Sequence, residues 1–333
     1  MRVLVLGYPE VRRLLPMAEC IDVMAQALAA RSRGEAVMPL RQILWLPDRT
    51  GALAWMPAFL PGMGALGAKA ITAFNANTAT PYESHQGPVL LFEPEHGRLL
   101  AVVDASTITA VRTAAVSGVA TRTLARPEAG VLAVLGNGVQ AALHVEAMRA
   151  VRPVREVRVW GRNPERALAF ARRTAERTGL AVRAAASAAE AVAGADIVCT
   201  TTAATDPILH GGDLSPGCHV NAVGAGVPGY RELDAAAVAA CRVYVDARES
   251  AAHESDELRA ALEEGAIGSD HVVGELGELL LDRVEGRRSA EERTLFKSMG
   301  LAVEDLAAAR YVYDRAVSTG TGTWVEFSPE REA

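Results

Sequence analysis

The segment LGNGVQAA has the residue types and the spacing of a dinucleotide-binding loop. Gly136, Gly138 and Ala141 fit the pattern G-x-G-x-x-A, directly after a predicted strand and at the start of a predicted helix. The first glycine permits a tight turn, the second lets the backbone approach a pyrophosphate, and the alanine lets the helix pack on the strand. Free N–H groups at the helix start would then face the phosphates. The alternative is a glycine turn in an α/β protein that binds no dinucleotide.

The end of the next predicted strand favours NADP(H) over NAD(H). About 20 residues beyond the glycines, an NAD enzyme carries an acidic residue that binds the hydroxyls of the adenosine ribose. This sequence reads WGRNP, which puts Gly161, Arg162 and Asn163 there. No carboxylate would repel a 2′-phosphate, and Arg162 could pair with one. NAD(H) remains possible if Arg162 is an ordinary surface residue.

Three cations stand out in the first part of the chain. Arg41 lies in MPLRQ, Lys69 in LGAKAI and Arg112 in ITAVRTAA, each beside apolar or small residues. Burial of an unpaired charge is costly, so a cation in such surroundings tends to be paired or functional. Taken singly, each could equally form an ordinary salt bridge.

No metal site is expected from the remaining ligand-type residues. The seven histidines show no metal spacing, and His85, beside a loop, is expected to pack or hydrogen-bond, with proton transfer as the alternative. Glu275, Glu278 and Asp305 are expected to cap helices or form ion pairs. The four cysteines contain no CxxC pair, which indicates reduced thiols in a cytoplasmic protein.

The elements that must position these residues alternate in a way that predicts the α/β class. Short apolar runs over residues 43–92 predict a mixed or antiparallel sheet, and residues 107–124 a helix. From residue 130 the rhythm becomes strand, helix, strand, as a doubly wound parallel sheet of the Rossmann type requires. Residues 256–318 are expected to be mostly helical.

Composition and net charge limit the classes of binding partner that we expect for this chain. The chain has 333 residues, half of them apolar, which is enough for two domains. Its net charge of −6 comes without a basic block, which argues against nucleic acid and an anionic membrane surface. No apolar stretch approaches the roughly 20 residues needed to span a bilayer.

Taken in order, several segments resemble the ornithine cyclodeaminase/mu-crystallin family along nearly the whole chain. They are Lys69 with the following FNAN, QGPVLLFEPEHGRLLAVVD, STITAVRTAAVSG, LGNGVQAALH, ADIVCTTTAATDP, VNAVGAGVPGYRELD, GELGELL and TLFKSMGLAVEDLAAA. The resemblance implies a homodimer. Its substrate-binding and dimerisation domain, of the α+β type, would comprise residues 1–115 and 312–333, and its NAD(P)-binding Rossmann domain residues 116–311.

The resemblance also implies site residues. Arg41, Lys69 and Arg112 would surround the carboxylate of an amino- or imino-acid substrate, and Lys69 could polarise or protonate an imine nitrogen. Arg162 would occupy the strand-end position that determines whether NADP(H) or NAD(H) is preferred. The other expected cofactor contacts are Ser84, Arg112, Gly136, Gly138, Val139, Gln140, Thr202, Val223 and Ser298.

Two departures from the cyclodeaminases favour simple reduction. Gly226 stands where those enzymes carry an aspartate, and Ala54 where they carry a glutamate. Ring closure needs such carboxylates for its proton transfers, whereas imine reduction needs a hydride, a carboxylate clamp and one proton donor. The hypothesis is an NAD(P)H-dependent reductase of small α-imino acids. Alanine dehydrogenase or ornithine cyclodeaminase activity and a mu-crystallin-like binding role are the alternatives.

Overall fold

The chain divides into two compact units. The computed structural model describes residues 1–74, 76–77 and 80–329. Unit 1 comprises Met1–Arg112 and the segment from Leu301 onward, and unit 2 comprises Thr113–Gly300. The resemblance instead implies domain boundaries after residues 115 and 311, whereas the two units meet after Arg112 and Gly300. The functions expected of the two domains stay predictions.

Strands and helices alternate along the chain and are numbered in chain order. The strands are β1 (Arg2–Leu6), β2 (Gln42–Trp45), β3 (Ala52–Leu60), β4 (Ala65–Ala73), β5 (His85–Gln86), β6 (Pro88–Phe92), β7 (Leu99–Asp104), β8 (Val131–Leu135), β9 (Glu156–Trp160), β10 (Ala181–Ala184), β11 (Ile197–Thr200), β12 (His219–Ala222), β13 (Arg242–Val245), β14 (Val272–Glu275), β15 (Thr294–Lys297) and β16 (Thr323–Glu326). The helices are α1 (Tyr8–Leu14), α2 (Met17–Ser32), α3 (Ala105–Leu124), α4 (Val139–Val151), α5 (Pro164–Thr178), α6 (Ala188–Val192), α7 (Ala235–Ala239), α8 (Arg248–Glu254), α9 (Asp256–Glu263), α10 (Leu276–Leu280) and α11 (Ala302–Thr319). Across the described part of the chain, no helix combines the length and the apolar character needed to cross a membrane.

Unit 1 is built on one mixed sheet with helices on one face. Its strand order is β16-β1-β7-β6-β4-β3-β2, with β5 beside β4. Only the β1–β7 pair is parallel among these described strands. Side chains alternate between the faces of a strand, so Leu4, Met56, Val89 and Val103 share the face that α2 and α11 cover, and they are buried. This is the mixed sheet that the apolar runs over residues 43–92 predict.

The other face of this sheet presents apolar side chains to the surface. Leu44 and Leu53 pair across β2 and β3, and Trp55 follows on the same face of β3. Their exposed fractions are 63%, 43% and 39%, and Val5 of β1 is also exposed. Adjacent exposed apolar side chains such as Leu44, Leu53 and Trp55 mark an interaction site more often than isolated apolar residues do.

Unit 2 is a doubly wound parallel sheet. Its strands run in the order β10-β9-β8-β11-β12-β15-β13-β14, and every pair is parallel. All five residues of β8 are buried, because a parallel sheet is covered on both faces and its strands are therefore continuously apolar. The order reverses between β8 and β11, which is where such folds bind ligands. The predicted α/β class with a Rossmann sheet is confirmed.

The expectation that residues 256–318 are mostly helical is wrong in one respect. Two strands, β14 and β15, lie in this region, and β15 inserts between β12 and β13. β15 reads TLFK, so it is four residues long, shows no polar alternation and ends in a buried lysine. Its strand character comes from its two neighbours, which local sequence does not reveal.

Candidate active site

Lys69 is a buried cation on a strand. It lies in the middle of β4, in register with Met56 on one side and Val89 on the other. Its side chain is only 3% exposed, on the sheet face that α11 covers. An ammonium group in this position requires a negative partner, because the cost of desolvating an unpaired charge is several kcal/mol.

Helix α11 supplies the negative partners. Lys69 Nζ lies 2.7 Å from Asp305 Oδ2, and Arg112 Nε donates to Asp305 Oδ1 at 2.7 Å. Arg112 Nη1 also donates to Glu304 Oε2 at 2.9 Å. Both carboxylates are fully buried. Asp305 therefore bridges two of the three predicted cations, which the structure brings together.

A local hydrogen bond positions the first turn of α11. Glu304 is the third residue of α11, and its carboxylate accepts a hydrogen bond from the backbone N–H of Leu301, the residue before the helix. A glutamate at this position is typical of a capping box, which satisfies N–H groups at a helix start. The cap fixes the first turn of α11 and with it the neighbouring Asp305.

Arg41 completes the cluster. It directly precedes β2, whose register with β3 puts Ile43 opposite Ala54 and therefore Arg41 on the face that carries Met56 and Lys69. Its positive charge is one of the influences that lower the pKa of Lys69. Lys69 and Arg112 balance the two carboxylates of the buried pairs, and the half-buried Arg41 adds a positive charge beside them.

The environment tunes Lys69 for proton transfer. Burial lowers its pKa from the ordinary value to about 8, the charges of Asp305 and Arg112 act in opposite directions, and Thr109 Oγ1 accepts a hydrogen bond from Nζ at 3.3 Å. Arg112 and Lys69 keep the pKa of Asp305 below its usual value despite the burial. A lysine with this pKa can release or take up a proton near neutral pH, as an acid–base catalyst must.

Ser84 and His85 lie at the edge of the same sheet. His85 pairs with Ala73 at the end of β4, and its Nδ1 lies 3.0 Å from Ser84 Oγ. Part of the His85 ring is open to solvent, yet neighbouring protein atoms and the charges of Lys69 and Arg112 lower its pKa. His85 therefore forms a hydrogen bond, as the sequence predicts, and proton transfer by this residue stays an untested alternative.

Glu304 and Asp305 were not among the residues predicted for the site. Asp305 was expected to cap a helix or form an ion pair, and it forms two ion pairs. Glu304 was not singled out, although it lies three residues after Leu301 at the start of a helical pattern. Acidic residues in the first turn of the helical pattern were the available signal, but Leu301 is not one of the residue types that complete a capping box.

In unit 2, the glycine loop has the geometry that a pyrophosphate needs. Gly136 has φ +129°, and a Cβ there would lie 2.4 Å from Thr201 Oγ1. Gly138 immediately precedes α4, and a Cβ on it would meet no described atom within 4 Å. The first turn of α4 begins with the exposed Val139 and has no side chain at its cap position, so its N–H groups are open to an anion. The residues present therefore fit a dinucleotide.

Two further expected contacts flank this loop. Gly161 is the first residue after β9 and lies against the glycine loop, since a Cβ on it would be 2.6 Å from Asn137 Nδ2. The next residue, Arg162, is exposed. Arg162 forms no ion pair with any residue of the described ranges. The Oε1 atom of Gln140, in the first turn of α4, is buried and accepts no hydrogen bond from those ranges.

The remaining expected contacts lie just beyond the carboxyl ends of neighbouring strands. Thr202 follows β11, Val223 follows β12 and Ser298 follows β15. The backbone N–H of Val223 donates to Thr200 O at 3.1 Å, and that of Ser298 donates to Ala222 O at 3.0 Å. The structure therefore collects these residues at one edge of the unit 2 sheet, on the other side of the switch point from Arg162.

Comparison with known proteins shows what the chain as a whole is similar to. The sequence profile of the ornithine cyclodeaminase/mu-crystallin family matches residues 2–320. The ketimine reductase mu-crystallin of Mus musculus is 42% identical over 299 residues, which cover 88% of this chain and 91% of that protein. The solved Thermococcus litoralis Delta(1)-pyrroline-2-carboxylate reductase, in complex with NADH and L-proline, has a TM-score of 0.94 at 34% identity and covers 96% of this chain and 99% of its own. An archaeal alanine dehydrogenase dimer with bound NAD has a TM-score of 0.92 at 34% identity, covering 98% and 100%.

Proposed function

Because the chain belongs to the ornithine cyclodeaminase/mu-crystallin family, we propose that it is an NAD(P)H-dependent reductase of small α-imino acids. It converts cyclic ketimines such as 1-pyrroline-2-carboxylate and 1-piperideine-2-carboxylate, or linear imines, into L-amino acids. The observation that carries this proposal is the buried ion-pair cluster of Lys69 and Arg112 with Glu304 and Asp305, which holds an ammonium and a guanidinium group together, as a carboxylate beside a C=N bond requires.

The residues of the cluster have separate roles in substrate binding and proton transfer. The guanidinium groups of Arg41 and Arg112 hold the substrate carboxylate, and Asp305 and Glu304 keep Arg112 oriented. Lys69 donates a proton to the imine nitrogen, which makes the adjacent carbon more electrophilic. A nicotinamide cofactor would supply the hydride for this carbon. The glycine loop and the first turn of α4 would hold the cofactor pyrophosphate.

The positions that separate reduction from cyclodeamination carry no carboxylate. Ala54 lies on β3, on the same sheet face as Lys69 and Met56. A Cβ on Gly226 would have only Met299 O within 4 Å, at 3.7 Å, so a larger side chain is not excluded by crowding. The absence of a carboxylate at either position supports reduction of a preformed imine.

Arg162 favours NADP(H) as the cofactor, with NAD(H) as the alternative that the ligands of the two solved relatives suggest. Its exposed guanidinium follows Gly161 beside the glycine loop, where the adenosine 2′ position lies in this fold. Arg162→Asp should lower kcat/KM for NADPH by about tenfold to 100-fold and leave that for NADH equal or higher. Parallel steady-state assays with the two cofactors measure this. An equal loss with both cofactors would contradict a 2′-phosphate contact.

The apolar face of unit 1 supports a homodimer. Leu44, Leu53 and Trp55 lie together on that face and are exposed, and an archaeal alanine dehydrogenase of the same fold is a dimer. We assign a second copy of this chain as the partner that covers it. Leu53→Asp should give monomers in light scattering after size exclusion, whereas Leu168→Asp, at an exposed leucine of α5 in unit 2, should leave the dimer intact. A dimeric Leu53→Asp variant would overturn the assignment.

A cytoplasmic location is part of the same proposal. Cys20, Cys199, Cys218 and Cys241 are all buried and free, as is usual in a reducing compartment. Fractionation of the native host cell, with an antibody against the chain, tests this directly.

The activity itself is tested by oxidation of NADPH and NADH. The substrates are 1-pyrroline-2-carboxylate, 1-piperideine-2-carboxylate, and pyruvate with ammonia or methylamine, and ornithine with NAD is the control. Rapid oxidation with an imine and no proline from ornithine is the expected result. Proline and ammonia from ornithine would favour a cyclodeaminase. Faster turnover of pyruvate with ammonia than of either cyclic imine would favour an alanine dehydrogenase. Cofactor binding without turnover of any substrate would favour a mu-crystallin-like binding role.

A further inference from the structure

Glu232 is a fully buried carboxylate of unit 2 that ties two strand ends together. Its Oε1 accepts hydrogen bonds from the backbone N–H and the hydroxyl of Thr202, at 2.6 and 2.7 Å. Its Oε2 accepts from the Thr200 hydroxyl at 2.7 Å and from the backbone N–H of Gly224 at 2.8 Å. One side chain thus holds the segment after β11 and the segment after β12.

A second carboxylate and a lysine extend this tie to a third strand. Glu257 Oε1 accepts from the backbone N–H of Glu232 at 2.9 Å, and Glu257 Oε2 lies 2.7 Å from Lys297 Nζ. Lys297, the last residue of β15, donates to Ala225 O at 2.6 Å. Glu257 and Lys297 are also buried. The network therefore links the carboxyl ends of β11, β12 and β15.

The close packing around Glu232 leaves little freedom in these segments. A Cβ on Gly224 would lie 2.0 Å from Thr202 O and 2.7 Å from Glu232 Oε1. Burial and the charge of Glu257 raise the pKa of Glu232, while its four donors stabilise the ionised form. A buried polar group with all its partners in place makes a local structure rigid, and loss of one partner is costly.

The tied segments belong to one half of the dinucleotide site. A doubly wound fold binds a dinucleotide across its switch point, with the pyrophosphate on the first strand–helix turn. Arg162 and β9 lie on the adenosine side of β8, so β11, β12 and β15 lie on the nicotinamide side. Thr202, Val223 and Ser298, the expected contacts on this side, are each within two residues of a network member.

We propose that Glu232 is a positioning residue for the nicotinamide half of the cofactor. It acts through Thr202 and the turn at Gly224 and, since it is fully buried, does not touch the substrate itself. This inference rests on the proposed nicotinamide-dependent function. If it is correct, loss of the Glu232 hydrogen bonds weakens binding of the nicotinamide half and leaves binding of the adenosine half unchanged.

The test compares ligands that contain or lack nicotinamide. Glu232→Gln keeps the size of the side chain but turns an N–H₂ group toward one pair of donors. We expect the Kd for NADPH and NADH to rise at least tenfold, while the Kd values for 2′-phospho-ADP-ribose and ADP-ribose change less than twofold. The fluorescence of bound NADPH should also shift toward that of free cofactor.

A matched control separates positioning from general loss of stability. Asp196, just before β11 at the opposite edge of the sheet, accepts from the backbone N–H groups of Gly130 and Val131 at 2.9 Å each. Asp196→Asn should lower the Tm without changing the ratio of the NADPH Kd to the 2′-phospho-ADP-ribose Kd. If Glu232→Gln does not fold, Thr200→Val, which removes one donor without adding a new one, should raise the same ratio to a smaller extent.

The outcomes distinguish the two proposals. Equal weakening of all four ligands by Glu232→Gln, or an unchanged NADPH Kd, would overturn the positioning role and leave the cofactor proposal standing. A wild-type chain that binds neither NADPH nor 2′-phospho-ADP-ribose nor their NAD counterparts would overturn both. A selective loss with the nicotinamide ligands alone supports both.

Discussion

At the scale of single residues, the site depends on how charge is distributed in a buried cluster. Asp305 contacts Lys69 and Arg112 at 2.7 Å each, and all three side chains are almost fully buried. Because Asp305 raises the pKa of Lys69 while burial lowers it, the value of about 8 is a compromise between the two. Catalysis that needs the protonated lysine is therefore sensitive to any change at Asp305.

The first prediction concerns the pH dependence of the reaction. Lys69 is protonated below its pKa, so kcat/KM should fall as pH rises through about 8. Asp305→Asn removes a charge that raises this pKa, so the alkaline limb of the profile should move to lower pH. Lys69→Met should lower kcat/KM by about 10²- to 10⁴-fold at every pH. Profiles of kcat/KM from pH 6 to pH 10 measure these effects.

Glu304→Gln is the matched control for that experiment. Glu304 contacts Arg112 and, unlike Asp305, is not among the main influences on the Lys69 pKa. Glu304→Gln should raise KM, because Arg112 loses a charged partner. It should shift the alkaline limb of the pH profile less than Asp305→Asn does. An alkaline limb that stays in place, or moves to higher pH, in Asp305→Asn would contradict the assigned role of Lys69.

Sequence alone identified the cations of this cluster but not their partners. Arg41, Lys69 and Arg112 are conspicuous because each lies among apolar or small residues. Glu304 and Asp305 lie in a long amphipathic helical pattern, where acidic residues near the start are ordinary. Which sheet this helix covers depends on contacts almost 200 positions away along the chain, and no local pattern carries that information.

At the scale of elements, the turn between β8 and α4 uses its two glycines for different reasons. Gly136 has a positive φ and is in close contact with Thr201, so its requirement is internal to the fold. Gly138 has φ −94° and free space at its Cβ position, so nothing in the described structure requires a glycine there. A ligand whose pyrophosphate approaches the backbone at Gly138 would explain the glycine there.

The second prediction separates these two requirements. Gly136→Ala should lower the free energy of unfolding by about 1–3 kcal/mol, because alanine is strained at that φ. Gly138→Ala should unfold at the temperature of the wild type but bind NADPH at least tenfold more weakly. Thermal unfolding without ligand and titration with NADPH measure the two effects. Wild-type affinity in Gly138→Ala would argue against a pyrophosphate at this turn.

The elements that could not be predicted from sequence are those defined by their neighbours. The glycine loop, β8 and α4 were predicted because strand, turn and helix signals follow one another within about 20 residues. β15 was missed because four residues without alternation resemble part of a buried helix. Its final lysine, an unusual residue for a buried strand, is explained only by Glu257 and the carbonyl of Ala225.

At the scale of the whole molecule, the stability of unit 2 is linked to pH through two buried histidines. Burial lowers the pKa of His144 to about 4 and that of His219 to about 3. Both are neutral in the folded protein, where His144 lies 2.9 Å from Ser117 Oγ and His219 lies 2.9 Å from Thr294 Oγ1. The unfolded chain takes up a proton at each of them near pH 6.5.

The third prediction follows from the sign of this linkage. The unfolded state binds more protons, so stability should be fully present above pH 6.5 and should fall as the pH decreases toward 4. Each histidine should contribute about 2 kcal/mol of loss between pH 7 and pH 5. Urea unfolding at several pH values measures the slope, and His219→Asn should reduce it by one proton. A slope that is the same in the variant would contradict a neutral, buried His219.

The placement of Glu304 and Asp305 on α11 has a consequence for the order in which the protein can mature. Unit 1 is discontinuous along the chain, and α11 follows the whole of unit 2. During synthesis, unit 2 can fold while the last part of the chain is still being made, because domains generally fold as units. Until α11 is made, Lys69 and Arg112 lack their negative partners, and burying them would carry a large desolvation free energy. The ion-pair cluster of Lys69, Arg112, Glu304 and Asp305 is therefore completed only after the whole of unit 2 has been synthesised.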